Sequence, residues 1–313
     1  MSCSLTVTDR RRGMFYGLAI GDALGTPHEF FRVKPKLPYT GLINTEHTLT
    51  VQWQFATTSI PPASVSDDTR MSIALLTSII ENKMEYDPEQ AALAYMTFAN
   101  STSQLGKNTR RLFKGVKTLK GYRARFVKFH SELVLCESNG TLMRASPLIL
   151  LDELTPDHML SNPNDINGDC NYAYLSLLRS IYIGKNKNQI KDDFLICAKI
   201  YKPQVGQAIL DSLDVNFKRD ITGKTKGWVA HSLYIAFYSF WHFEAMEQAM
   251  QHVVTIVGSD TDTNAAIAGT IFGSYLGYSG LFMEDKSSKN ISIVQKLTPE
   301  ISQIEALLAR IKD

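Results

Sequence analysis

Gly13, Gly17, Gly21 and Gly25 recur every four residues, and no other feature constrains the fold as much. On a helix they share one face and form a stripe without side chains. Such a stripe lets another backbone approach closely, so this helix belongs inside a packed helical assembly. A second stretch agrees with it. Residues 265–283 carry no charge and are long enough to span a membrane. They are rich in Gly, Ser and Thr, begin directly after two acids, and lack basic residues on their N-terminal side. The reading is a buried central helix and not a membrane span.

The residues before that run carry the chemistry. Val257-Gly258-Ser259-Asp260-Thr261-Asp262-Thr263 places a Gly-Ser turn and two acids at a helix start. Asp and Thr there satisfy free backbone N–H groups and suit the positive end of the helix dipole. One acid would be enough for that. Two acids with two threonines look like oxygen ligands for a hard cation such as Mg²⁺. Ser66-Asp67-Asp68-Thr69 repeats the pattern before another apolar periodic run, Met71, Ile73, Leu75, Leu76, Ile79 and Ile80. Neighbouring helical residues point about 100° apart, so Asp67 and Asp68 do not face each other. A metal lying off the helix start can take both. Asp67, Asp68, Asp260 and Asp262 would balance two divalent cations. Closed together without metal, they would repel and hold protons.

Helical patterning covers most of the rest. Thr26-Pro27-His28-Glu29 leaves the glycine helix, with Pro marking the break and Glu29 on a loop. Asp22, between Gly21 and Ala23, suits a cap or a bond to a neighbouring loop. Residues 31–65 show no period and read as loop, with Pro61-Pro62 within it. Asp87-Pro88-Glu89 opens a helix. Lys107 to Lys128 contains no acid, and Lys107, Arg110, Arg111, Lys114, Lys117 and Lys120 come at helical spacing. The stretch reads as a solvated face or as a patch for an anionic partner. Its aromatics are too sparse for single-stranded nucleic acid. Asn139-Gly140 marks a turn with exposed N–H groups, residues 155–170 a loop, and helices follow near 171–184, 189–199 and 203–213. Ile221 to Gly227, with Gly223 and Lys224, is a polar loop, and Trp228 opens an apolar helix. Trp228 suits core packing or a stack on a flat ring. Residues 285–290 read as a linker. Thr298 caps a last helix, Pro299 is its first residue, and Ile301, Ile304, Leu308 and Ile311 form its stripe. Strand signals are scarce, so the chain reads as all-α and as a single domain, 1–313.

Composition excludes several classes. The formal net charge of +2 over 313 residues does not suit a protein built wholly for nucleic acid or membrane. Cys3, Cys136, Cys170 and Cys197 have no CxxC spacing, which points to reduced thiols in the cytoplasm and away from zinc. Arg10-Arg11-Arg12 before a short apolar run loosely imitates a signal peptide. The run ends at Gly21-Asp22 without a cleavage site, so a signal is rejected.

Taken together, these blocks resemble the ADP-ribosylglycohydrolases. The resemblance covers about Arg11 to Leu308. It includes Gly13-x3-Gly17-x3-Gly21-Asp22-Ala23-Leu24-Gly25-x3-Glu29, Ser66-Asp67-Asp68-Thr69, Asn139-Gly140-x2-Met143-Arg144-x2-Pro147, Gly227-Trp228-Val229 and Asp260-Thr261-Asp262-Thr263 with 265–269. It implies an orthogonal helical bundle with two Mg²⁺ (or Mn²⁺) in a cleft. Ser66, Asp67, Asp68, Asp260, Asp262 and Thr263 would hold the metals. Glu29 would be the general acid/base, with Asp68 or Asp260 as the second candidate. Asn139 and Gly140 would cradle ADP-ribose, and Trp228 would lie at its adenine end. The implied activity is cleavage of the C1″ bond of ADP-ribosylated protein side chains, arginine first, releasing ADP-ribose. An ADP-ribosyltransferase would be the counterpart. The alternatives are a serine-linked or small-molecule conjugate, a non-catalytic binder, or a two-metal phosphohydrolase. Ser66 stands where the family usually has Thr, and Ser259 where a second Gly is usual. Neither change removes a carboxylate.

Overall fold

The structure is a computed structural model. It describes residues 5–29, 41–42, 49–53, 56–155, 157–221, 226–256, 258–283 and 285–312, and the backbone alone for 49–53, 56–60 and 285–288. Cys3, Gly223, Lys224, Val257 and most of the loop expected over 31–65 lie outside the described residues.

Two helices form the axis of the molecule. Helix α1 is Val7–Gly25 and helix α11 is Thr261–Met283. The glycine stripe of α1 lies directly on the α11 backbone. A Cβ at Gly13, Gly17, Gly21 or Gly25 would run into main-chain atoms of Gly273, Gly269, Ala265 and Thr261–Asp262 in turn. The stripe therefore brings the C-terminal end of α1 against the first turn of α11. Helix α11 is buried without a break from Thr261 to Ser274, which takes in the first part of the uncharged run. No helix among the described residues is long and apolar enough to cross a membrane.

Helix α11 kinks at Gly277, whose φ is +70°. The kink has identifiable partners on α1. Arg10 donates to the carbonyls of Ser274 and Tyr275, both at 3.1 Å. Asp9 accepts from the Ser279 N–H at 3.1 Å and its hydroxyl at 2.8 Å. One basic and one acidic side chain thus satisfy the backbone groups that the break frees. The arginine-rich start of α1 serves packing: Arg12 also pairs with Glu305 at 2.7 Å.

The other helices surround this axis. They are α2 Asp67–Glu81, α3 Pro88–Ser101, α4 Lys107–Phe113, α5 Leu119–Val134, α6 Asp165–Tyr182, α7 Lys187–Cys197, α8 Pro203–Leu213, α9 Val229–His242, α10 Met246–Val254, α12 Asp285–Leu297 and α13 Pro299–Leu308. Short 3-10 turns at Thr26–His28, Asn139–Thr141, Ser146–Leu150, His158–Leu160 and Ala198–Ile200 join them. The all-α reading holds, with one addition. Leu49–Trp53 and Ala56–Ile60 pair as an antiparallel hairpin, Leu49 opposite Ile60 and Trp53 opposite Ala56. Its Thr and Val residues favour extended backbone, but the run is too short to show a period.

Four local expectations differ from the structure. Helix α6 begins at Asp165 and not near 171, because the Asn164 side chain accepts from the Asn167 N–H at 2.9 Å and caps it. The basic stretch is two helices, broken at Gly115, whose φ is +76°. The residues read as a linker after α11 begin helix α12. The Thr298 hydroxyl donates to the Ala63 carbonyl at 2.8 Å and does not cap α13.

Candidate functional site

The site lies where the start of α2, the start of α11 and the chain leaving α1 meet. Asp22 fixes two of these pieces. It is fully buried on α1, and its carboxylate accepts from the Ser66 N–H at 3.0 Å, the Thr69 N–H at 3.0 Å and the Thr69 hydroxyl at 2.6 Å. It thereby caps α2 from outside and holds Asp67 and Asp68 at the end of the glycine stripe. Its position in a glycine-rich helix gave no sign of that partner. Ser66 is the N-cap residue of α2, accepting from the Asp68 N–H at 3.1 Å and donating to Asp68 Oδ2 at 2.8 Å. At α11, Gly258 takes a φ of +73°, which turns the chain so that Asp260, Asp262 and Thr263 reach the same floor.

Two groups of three carboxylates result. Ligand-capable oxygens of Asp22, Asp68 and Asp262 lie within 4.8 Å of one another, and so do those of Glu29, Asp260 and Asp262. Asp262 belongs to both. Asp67 belongs to neither: its Oδ2 accepts from the Gly106 N–H at 3.1 Å, on the cleft side. Asp22 has its oxygens engaged by the start of α2, so it is better read as an anchor than as a ligand. Asp68 differs. Its Oδ1 is buried and has no hydrogen-bond partner among the described residues. An orphaned carboxylate oxygen among other carboxylates is the donor set that a hard divalent cation takes up. The residues present therefore fit a metal.

The electrostatics agree. Burial pushes Glu29 up to about 9, helped by Asp260 and Asp67 and opposed by Lys226. Burial raises Asp67 to about 6. Asp68 and Asp262 are held well above the usual carboxylate range by burial and then by the neighbouring acids. Asp260 is raised by burial, with the Asn139 amide opposing at 2.9 Å. Lys226, which lines the cleft near these acids, was not singled out from the sequence, since no spacing ties it to them.

A cleft of about 860 Å³ opens above the carboxylates. Glu29, Ser66, Asp67, Asp68, Asn139, Gly140, Asp260, Asp262 and Thr263 all line it, which brings these sequence-chosen residues together. Asn139 is buried and joined to both sides. Its amide donates to Asp260 Oδ2 and to the Ser232 hydroxyl at 3.0 Å, while its backbone N–H donates to the Gly227 carbonyl. Trp228 is not brought into the lining. Its indole N–H donates to Glu137 at 2.6 Å, and its ring lies against His231 and Arg219. Gly227 and Ser138 make the cleft wall beside it.

Behind the Asn139 loop lies a buried ion pair that the sequence did not reveal. Arg144 Nε meets Asp157 Oδ2 at 2.7 Å, and its Nη1 donates to the Gly140 carbonyl at 2.6 Å. Tyr86 and Tyr95 donate to Asp157, each at 3.0 Å. Arg144 thus ties the Asn139–Gly140 loop to the core.

The ADP-ribosylglycohydrolase family model matches residues 4–286. The chain is 24% identical over 294 residues to a presumed ADP-ribosyl glycohydrolase, L543 of Acanthamoeba polyphaga mimivirus, covering 85% of this chain and 86% of that one. It is 23% identical over an alignment of 336 positions to the ADP-ribosylarginine hydrolase Tri1 of Pseudomonas putida (strain GB-1), covering 98% of this chain and 84% of that one. A solved structure described as an ADP-ribosylglycohydrolase-related protein complex superimposes with a TM-score of 0.71 at 21% identity, over 97% of both chains, and so shares the fold. With a family match across most of its length, the chain belongs to the ADP-ribosylglycohydrolase family.

Proposed function

We propose that this protein hydrolyses the C1″ glycosidic bond of ADP-ribosylated protein side chains, arginine first, and releases ADP-ribose. The carrying observation is the convergence of Glu29, Asp68, Asp260 and Asp262, from three distant segments, on the floor of one cleft. The cleft volume lies in the range that encloses a nucleotide-sized ligand. Likeness to the ADP-ribosylarginine hydrolase Tri1 supports arginine as the acceptor.

Two Mg²⁺ (or Mn²⁺) would be held by Ser66, Asp67, Asp68, Asp260, Asp262 and Thr263, and would fix the vicinal hydroxyls of the distal ribose and polarise that ring. The chain's own groups then do the following. Asn139 and Gly140 present donors and a shaped wall to the ADP-ribose. Glu29, at the cleft floor, gives a proton to the leaving nitrogen as the C1″–N bond breaks. The bond pair stays with the nitrogen. A water oxygen bonds to C1″ and returns a proton to the Glu29 carboxylate. Asp68 and Asp260 are the second candidates for that proton. Trp228 steadies the Asn139 side of the cleft through Glu137. A single domain in the cytoplasm completes the proposal, in keeping with four cysteines that have no CxxC spacing.

The test is release of free ADP-ribose from ADP-ribosyl-arginine and ADP-ribosyl-serine peptides, with Mg²⁺ and with chelator. Metal-dependent release that Asp262→Asn abolishes is the expected result. Release of inorganic phosphate instead, or no product with metal bound, overturns the proposal.

A further inference from the structure

Nine of the chain's 33 Lys and Arg fall between residues 107 and 128, with no acid among them, so the remaining 24 face 31 acids. The fold gathers six of the nine into one place. Lys107, Arg110, Arg111, Lys114, Arg125 and Lys128, with Phe129, line an open groove of about 660 Å³ between α4 and α5. Lys107 and Arg110 also line the carboxylate cleft. The groove is therefore continuous with the cleft rim.

The cations are not neutralised where they stand. Lys114 donates to the Thr102 carbonyl at 2.7 Å, Arg125 to the carbonyls of Arg111 and Lys114 at 3.1 and 2.6 Å, and Arg110 to the Ser103 carbonyl at 3.3 Å. Backbone oxygens position these groups and leave their charge in place. Among the described residues, Arg111 is the one lining cation with a carboxylate partner, Glu132 at 2.6 Å. Donors held by separate carbonyls spread charge along the groove and do not converge as a cradle for one phosphate. That favours an extended anion. A nucleic acid strand would want exposed aromatic faces for its bases. Phe129 is the aromatic residue in the groove, and Arg111 and Lys128 lie over its ring at 4.7 and 5.3 Å. A polypeptide that puts one modified side chain into the cleft must lay its neighbouring residues on the rim.

From this we infer that the α4–α5 groove docks an acidic segment of the protein that carries the ADP-ribose. This rests on the proposed hydrolase activity, and it extends that activity from the modified side chain to the sequence around it. The groove adds selectivity and association rate for acidic surroundings, and it fades as salt rises.

The test compares the full-length protein with Lys114→Glu/Lys128→Glu, two positions outside the cleft lining, and with Lys128→Glu alone. Three substrates or probes are used: ADP-ribosyl-arginine without flanking residues, an ADP-ribosylated peptide with glutamate-rich flanks, and the same peptide unmodified and fluorescently labelled. The double variant should bind the labelled peptide roughly tenfold more weakly at low salt and lose a similar factor of kcat/KM on the modified peptide. The gap should shrink in high salt, and ADP-ribosyl-arginine should be hydrolysed at the unaltered rate. Lys128→Glu, which alters a side chain whose ammonium lies 5.3 Å from the centre of the Phe129 ring, should show a smaller loss of the same kind and covers a failure of the double variant to fold. If wild type hydrolyses nothing but peptide binding still falls in the variants, the groove stands and the activity fails. If hydrolysis is normal and neither peptide measurement changes, the groove reading is wrong. It is equally wrong if an oligonucleotide of matched charge binds wild type more tightly than the peptide. Self-association of wild type that the variants abolish overturns it too, because a second copy would then fill the groove.

Discussion

Two regions of this molecule bury charge, and they do so in opposite ways. At Arg144 and Asp157 the chain supplies both signs. The guanidinium is met by Asp157, Tyr95, Gly140 and Ser161, and the carboxylate by Arg144, Tyr86 and Tyr95. At the cleft floor the chain supplies mostly one sign. Asp68, Asp260, Asp262 and Glu29 crowd together, and Asp68 Oδ1 has no partner among the described residues. A buried charge without a counter-charge is costly and shifts toward its neutral form. The first region is complete as a piece of structure. The second is arranged to be completed by something cationic. The segment 139–144 joins them, since Asn139 donates to Asp260 and Arg144 donates to the Gly140 carbonyl.

The largest expected effect comes from breaking the complete region. Arg144→Ala leaves Asp157 buried and unpaired, at a cost of about 3–5 kcal/mol of folding stability. Urea unfolding measures it. A loss below about 1 kcal/mol would show that the pair is not buried as described, and the contrast with the floor would collapse.

The second effect comes from completing the incomplete region. A divalent cation at a hundred times its Kd should stabilise the protein by about 2.7 kcal/mol, and chelator should reverse this. Asp68→Asn removes one crowded charge. In chelator it should raise Tm, and with Mg²⁺ or Mn²⁺ it should lose the response. An unchanged response would place the cation elsewhere.

The pH dependence sharpens the same contrast. Glu29 rises from 4.5 to about 9 and Asp67 from 3.8 to about 6, in both cases first through burial. The folded state therefore keeps protons that the unfolded chain has released. Their contribution to stability is full below the ordinary carboxylate range and is lost as pH rises through the folded values. In chelator, Tm should fall between about pH 5 and 9. With Mg²⁺ the fall should flatten, because cation binding requires the deprotonated acids. A metal-free Tm that rises over this window would mean the acids are ionised and solvated.

Much of this was legible in the sequence, because the signals were local. The four-residue glycine spacing, the paired acids at two helix starts and the Asp87-Pro88 cap each depend on residues a few positions apart. The acids Asp67, Asp68, Asp260 and Asp262 therefore stood out, and so did the helix that would be buried. What was missed depends on partners distant in the chain. Asp22 could be read as a cap or a loop bond, which it is, but the segment it holds could not: its donors come from Ser66 and Thr69, 44 and 47 residues on. Arg144 finds Asp157 across two irregular turns with no period to announce it. Trp228 could be placed at a loop–helix junction, but only Glu137 decides where its indole N–H points. The hairpin over 49–60 and the start of α12 were lost for another reason: the strands are short, and Asp285 to Asn290 has no apolar residue to show a period.

The smallest effect tests the joint between the two regions. Asn139→Ala removes the amide that donates to both Asp260 and Ser232, and should cost about 1–2 kcal/mol of stability. Because that amide favours the charged form of Asp260, its loss should also weaken divalent-cation binding, read as a smaller rise in Tm at a fixed Mg²⁺ concentration. Arg144→Lys approaches the joint from the other side. It keeps the buried charge but loses the planar fork that reaches Gly140, Asp157 and Ser161 together. Metal binding should then be nearly normal, while KM for an ADP-ribosylated substrate rises because Gly140 is less firmly held. If Arg144→Lys weakens cation binding as much as Asn139→Ala does, the two regions are one electrostatic unit and the contrast between them is wrong.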